Sequence, residues 1–374
     1  MTPGADDGQA PTARRAGAVP RMPAARRSAF LAGWRVVAGA FLVTMVGFGA
    51  IYSYAAFAAD LAATFGVSRA SASIVFALSG ACCFAVGGVT GPLADRFGPR
   101  ALATAGMAIV ATGLLTAAAA TSMAQVVLSY GVLIGLGTGF AYVPAMAAVQ
   151  RWFVARRGLA SGIAAAGVGV GTALVPPMAG FLATFGDWRA AFAISGLAAA
   201  LVGLTGALLL SSAPEAHGLH PDGAPDGPAA AKHQSGAAAD SILASRAFAL
   251  FYVGTLLVSM PVALPFGHLV ATARDIGVSG PAALGLLGTI GIGSIAGRFL
   301  LGALADLAGR RRVFLACTAG LAGATGLWAA ADGIGALTAF AFLFGIFYGG
   351  FVALLPAFAA DQFGRRSAGS VIGV

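Results

Sequence analysis

Gly91-Pro-Leu-Ala-Asp95-Arg96-Phe-Gly98-Pro-Arg100 recurs 211 residues later as Gly302-Ala-Leu-Ala-Asp306-Leu-Ala-Gly309-Arg310-Arg311. A second landmark, Arg156-Arg157-Gly-Leu-Ala160-Ser-Gly162, returns 209 residues on as Arg365-Arg366-Ser-Ala-Gly369. Two independent landmarks at nearly one offset mean two copies of one unit. In each copy the first motif follows the second long apolar run, so both motifs face the same side of whatever those runs cross. The copies are therefore parallel repeats, related by an axis along the membrane normal.

The runs cross a bilayer. The 374 residues are 59% hydrophobic and 9% charged, against roughly a quarter charged in a soluble domain. Thirteen acids and 22 bases could not cover a water-soluble globule of this size. The apolar runs are near the length of about 20 residues that a helix needs to span roughly 30 Å of hydrocarbon. They lack the apolar–polar alternation of barrel strands, which excludes a transmembrane β-barrel. The sequence thus predicts an all-α polytopic membrane protein with spans near residues 34–59, 70–92, 101–120, 124–149, 159–184, 189–211, 247–272, 281–304, 313–331 and 335–359. Its organisation reads as a basic tail at 1–33, a six-helix bundle at 34–212, a polar linker at 213–245 and a second, incomplete bundle at 246–374. The second copy stops as its fifth helix begins, so the repeat predicts a twelve-span protein truncated to ten spans and the start of an eleventh.

The net charge of +9 is explained by topology. Eighteen of the 22 bases fall in the tail, the linker and the loops after even-numbered spans, whereas the opposite loops hold Arg69, Arg189 and Arg274. The positive-inside rule then places the N-terminus and linker in the cytoplasm. A nucleic-acid partner is not required. Cys82, Cys83 and Cys317 sit in apolar spans, where reduced packing residues suit better than a disulfide or zinc site. His217, His220 and His233 lie in the Ala/Gly/Pro-rich linker without regular ligand spacing; a flexible tether accounts for them better than a metal tract. Gly291-Ile-Gly293-Ser-Ile-Ala-Gly297 has the spacing of a dinucleotide loop, but no strand precedes it. The series Gly131, Gly135, Gly139 and the pair Gly167, Gly171 fit close helix–helix contacts. No catalytic cluster, cofactor site or metal site is read from the sequence, and an enzyme is not expected.

The duplicated Gly-x-Leu-Ala-Asp-Arg-x-Gly pattern resembles the signature loop of the major facilitator superfamily, and the resemblance covers the chain from about Trp34 onward. It implies a major facilitator fold in which these loops latch the two halves on the cytoplasmic side. Asp306 would face the start of the fifth span near Gly158, and Asp95 the start of the eleventh near Ser367. Arg96, Arg100, Arg310, Arg156 and Arg157 would share that gate. Pro99 and Leu307 depart from the pattern, which prefers bases there.

Trp152-Phe-Val-Ala155-Arg156-Arg157-Gly-Leu159-Ala160-Ser-Gly162-Ile-Ala164-Ala-Ala166-Gly167 resembles the monocarboxylate-porter signature, with Trp152 in place of Tyr and Ala155 in place of Lys. Gly33-Trp34 keeps part of a second mark without its acid. The likeness to monocarboxylate and oxalate/formate-type carriers implies secondary transport of a small organic anion, with a proton or in exchange, by a monomer in a bacterial cytoplasmic membrane. A carrier of dicarboxylates, inorganic anions or drugs, and a non-transporting sensor on the same scaffold, fit the sequence as alternatives.

Arg298 lies eight residues, about 12 Å of helix, from the interfacial Asp306. Burying it costs at least about 2.5 to 3.5 kcal/mol, so it faces a cavity or partner, or else snorkels to the interface. A guanidinium offers a carboxylate two parallel charge-assisted hydrogen bonds, and in the resembled family an arginine at this place binds the substrate carboxylate. Ser294, one turn away, can add a hydroxyl. His268, in a Pro-Phe-Gly-His-Leu segment, can carry a proton in the working range or be a satisfied core histidine. Asp275 takes the family's proton-coupling acid or caps its helix. Tyr142 and Tyr348 bring hydroxyls into apolar spans, either beside substrate as in the family's carriers or as packing.

Overall fold

The computed structural model describes residues 24–153, 156–221 and 245–363, and all of its extended elements are helices. In chain order they are α1 (Ala24–Phe65), α2 (Arg69–Ala85), α3 (Gly87–Phe97), α4 (Pro99–Ala118), α5 (Met123–Trp152), α6 (Arg157–Ala183), α7 (Trp188–Leu209), α8 (Arg246–Asp275), α9 (Gly280–Ala308), α10 (Arg310–Ala329) and α11 (Ile334–Phe363). Among the described residues nine are long and apolar enough to cross a membrane. The second span, expected as one helix over 70–92, is instead two. It breaks at Val86, where Gly87 and Gly88 lower helix propensity and Pro92 withdraws the N–H that would pair with residue 88. Together α2 and α3 cover the stretch expected as the second span.

The loops fall on two faces. One carries Gly98, Gly309 and residues 210–221 and is rich in arginine; the other carries residues 66–68, 119–122, 184–187, 276–279 and 330–333. They are called below the basic face and the opposite face.

Duplication extends to the backbone. Gly98 has φ 84° and ψ 149°, and Gly309 has φ 92° and ψ 131°. Each donates its N–H to the carbonyl four residues back, Ala94 at 2.9 Å and Ala305 at 3.1 Å, and the next helix starts at once. These dihedrals are essentially confined to glycine, so the glycine of each motif sets a sharp reversal between consecutive spans.

Packing repeats in the same register. A Cβ at Gly135 would meet the Ser79 carbonyl and one at Gly139 the Cys83 carbonyl; at Gly345 and Gly349 it would meet those of Ile290 and Ser294. All four correspondences hold at 210 or 211 residues, so α5 lies on α2 as α11 lies on α9. Ser294 is thus the counterpart of Cys83, and Arg298 of Gly87. Gly167 and Gly171 lie against Phe41, Thr44 and Met45, which brings α6 onto α1. With no hydrophobic drive between helices in lipid, such close backbone approach supplies the packing.

Candidate functional site

The two halves meet along α6 and α9. A Cβ at Gly291 would lie 2.5 Å from the Gly169 carbonyl and 2.6 Å from the Ala173 nitrogen. Glycine at this crossing lets the backbones touch. Two turns farther along α9, Arg298 reaches over the same boundary and donates from Nη1 to the Ala165 carbonyl of α6 at 2.7 Å.

Arg298 is 7% exposed, and among the described residues it is the one charged side chain that is buried. Tyr348, Tyr142 and Tyr52, from α11, α5 and α1, lie within its electrostatic reach. Nε and Nη2 have no hydrogen-bond partner among the described residues, and neither does Ser294 Oγ one turn away. Nε–H and the adjacent Nη2–H project side by side from one edge of the guanidinium, the fork that matches two carboxylate oxygens. The opposite edge is already tied down by Ala165. A cation held this way, with one edge anchored and the other unpartnered, can receive an oxyanion without first breaking a bond.

Tyr142 and Tyr348, chosen from the sequence, are both half-buried and both contribute to this group. Tyr52 was missed. It is 8% exposed, its hydroxyl lies beside that of Tyr348, and its ring stacks on Phe266 of α8 at 4.3 Å and 18°. Applying to α1 the rule that picked the other two, a hydroxyl inside an apolar run, would have found it. That rule also selects Tyr54, whose hydroxyl is satisfied by the Ala72 carbonyl at 2.6 Å. Cys83 is buried and within electrostatic reach of Tyr52 and Tyr142.

His268 stands apart. It is exposed on α8, whereas Pro265, Phe266, Leu269 and Val270 are buried. Asp275 lies at the end of α8 on the opposite face and pairs with Arg69 of α2, whose Nη1 donates to both carboxylate oxygens at 2.9 and 2.8 Å. Neither residue belongs to the group around Arg298.

On the basic face, Arg96 lies over the Phe97 ring at 5.2 Å. Arg100 donates to the Leu210 carbonyl at 2.8 Å, and Arg310 pairs with Asp361 at 3.1 Å. Those contacts stay within one half. Arg156 is exposed and takes part in a further interaction. The side chains of Asp95, Asp306 and Arg157, together with Ser367, lie outside the described residues, as does His233. A depression of about 550 Å³ beside Arg310, Arg311, Arg312 and Asp361, and one of about 650 Å³ beside Phe97, Arg100 and Ser212, also lie on this face, away from Arg298.

Comparison with known proteins agrees with this architecture. Monocarboxylate transporter 13 of Bos taurus is 32% identical over 275 residues, 73% of this chain and 62% of that protein. Monocarboxylate transporter 11 of Homo sapiens is 30% identical over 274 residues, covering 73% and 56%. The chain thus spans about three-fifths of the length of these relatives. The MFS-type transporter opdF of Penicillium oxalicum is 30% identical over 335 residues, 87% of this chain and 74% of that one. Among solved structures, a bacterial homologue of the human lysosomal transporter Spinster, inward-facing and unoccupied, superposes with a TM-score of 0.69 at 18% identity, covering 91% of this chain and 78% of that one. The partially occluded inward-open xylose transporter XylE of E. coli gives 0.66 at 15% identity, covering 91% and 88%. These relatives are membrane transporters, not enzymes. Residues 37–374 match the Major Facilitator Superfamily, and with the duplicated loops, parallel repeats and shared fold, this multi-pass membrane protein belongs to that superfamily.

Proposed function

We propose that this chain carries small organic anions, monocarboxylates foremost, across the cytoplasmic membrane by alternating access, with the basic face in the cytoplasm. The observation that carries the reading is Arg298, a buried cation at the contact of the two halves whose Nε and Nη2 are unpartnered among the described residues. The relatives named monocarboxylate transporters support the substrate class.

An empty site leaves Arg298 dehydrated and without an acid. A carboxylate supplies both the missing charge and the acceptors, so binding relieves a cost of at least about 2.5 kcal/mol. The hydroxyls of Tyr142, Tyr348 and Ser294 would donate to the same anion or its substituents. Rocking of one half against the other would then expose the site to each side in turn. The charge is balanced either by a proton, with Asp275 or His268 as carriers on the family pattern, or by return of a second anion. The proton route through Asp275 would have to act by way of its pair with Arg69.

Reconstitution in proteoliposomes tests this. Counterflow of labelled lactate, pyruvate, acetate, oxalate or formate is expected for at least one member, lost in R298A. Binding without exchange would favour a sensor. Exchange that survives R298A intact, or no interaction with any of the five, would sink the anion site.

A further inference from the structure

The depression beside Phe97, Arg100 and Ser212 is a groove of about 650 Å³ between α4 and the end of α7. Its lining changes along the length of α4. At the basic face stand Arg100, Ser211 and Ser212, and the Arg96 guanidinium lies over the ring of Phe97, which forms one wall. Deeper lie Ala101, Ala105 and Ala108, exposed and without bulk, with the exposed Leu208 of α7 beside them. Ala108 is eight residues, about 12 Å of helix, from Arg100, so the groove runs from the interface into the hydrocarbon layer. Between its two ends Thr104 Oγ1 is buried and has no hydrogen-bond partner among the described residues. The polar rim is fixed in place: Arg100 Nε donates to the Leu210 carbonyl at 2.8 Å, and Trp152 Nε1 of α5 donates to that of Ser212.

We propose that this groove holds an anionic phospholipid from the leaflet on the basic face, with its phosphate at Arg100 and one acyl chain along Ala105, Ala108 and Leu208. Arg100, anchored through Nε, presents its terminal nitrogens to phosphate oxygens. Arg96 adds a second positive charge, and bases at this level favour anionic over zwitterionic headgroups. The glycerol esters come next below the phosphate, and an ester carbonyl is the acceptor that the buried Thr104 hydroxyl lacks. A free phosphate would satisfy the rim and leave Thr104 and the apolar floor unfilled. A hydrocarbon chain alone would leave the rim and Thr104 unmet, so only an amphipath with its charge at the interface matches both ends. The hydroxyl is no part of the duplicated scaffold: at an offset of 211 residues Arg100, Ala105 and Ala108 return as Arg311, Ala316 and Ala319, but Thr104 returns as Leu315.

The groove is separate from Arg298, and its occupant does not depend on what the carrier transports. Native mass spectrometry of the detergent-solubilised protein, titrated with dioleoylphosphatidylglycerol, dioleoylphosphatidylcholine or glycerol 3-phosphate, tests the proposal. The first phosphatidylglycerol adduct is expected at a lower lipid concentration than the first phosphatidylcholine adduct, and glycerol 3-phosphate should not displace it. T104V is close in shape and removes the hydroxyl, so it should weaken that adduct about fivefold, on the scale of one hydrogen bond. A105F fills the groove from an exposed position and should abolish the adduct, whereas A316F, the same change at the exposed counterpart in the second half, should leave it intact. R100Q should remove the preference for phosphatidylglycerol. Equal binding of the two lipids, displacement by glycerol 3-phosphate, parental affinity in T104V, or an adduct that A105F and A316F affect alike would overturn the proposal.

Discussion

Arg298 in the second half donates a 2.7 Å hydrogen bond to the Ala165 carbonyl in the first. The bond holds Nη1 and leaves Nε and Nη2 without a partner among the described residues. A lysine at this position would preserve charge but not the fork, since an ammonium is a point donor with no planar edge. We expect R298K to lower affinity for a carboxylate at least about tenfold, on the scale of one lost charge-assisted bond, and R298Q to abolish binding. Equilibrium binding of radiolabelled probe to detergent-solubilised protein measures both. Equal affinities for Lys and Arg would refute the side-on geometry.

The same burial predicts an effect of opposite sign on stability. An ion without a countercharge in a dehydrated setting is costly, and an apolar side chain of similar volume is often neutral or stabilising there. R298M should therefore raise the apparent melting temperature in the absence of anion while ending uptake. A melting temperature below that of the parent would show that the Ala165 bond outweighs desolvation.

How far the site was legible in the sequence depends on what each residue's neighbours are. Arg298 stood out because charge in an apolar run is costly wherever the helix lies, and the repeat set its depth. The parallel halves were legible because Gly98 and Gly309 are needed by backbone geometry and so recur in register. Tyr52 was not, because a tyrosine in an apolar span is tolerated both as packing and as a ligand, and α1 contains two. The structure decides between them by giving Tyr54 the Ala72 carbonyl and leaving Tyr52 with Phe266 and Tyr348. The Arg69–Asp275 pair joins residues 206 apart across the repeat boundary, and no local pattern encodes such a pairing. The break at Val86 was missed because the hydropathy of 70–92 is continuous even though its backbone is not.

The motif glycines separate backbone conformation from helix packing. Gly309 needs a dihedral region that other residues reach only at about 1 to 3 kcal/mol, so G309A should destabilise by that amount in a denaturant or thermal melt. G98A should match it, because the two loops share their geometry. Gly302, in the same motif, has an ordinary helical backbone and open space where a Cβ would be. G302A should be neutral or stabilising by about 0.5 to 1 kcal/mol. Equal losses for G302A and G309A would contradict this division of roles.

Arg69 and Asp275 are both exposed, at 73% and 51% of the side chain, so their pair is screened by salt and is weak. Weakness suits this position: a carrier must visit both closed and open arrangements, and a strong bond between the halves would trap one of them. R69Q and D275N should each lengthen the separation reported by spin labels at F185C and D332C, exposed positions on the opposite face in either half, in the absence of anion, as raised salt should in the parent. The exchanged pair, R69D with D275R, should restore the parental distribution, since attraction between opposite charges does not depend on which half carries which sign. If the exchanged pair remains as open as the single variants, the ion pair does not hold the halves together, and closure on this face is carried by apolar contacts such as the Tyr52–Phe266 stack and the α6–α9 crossing.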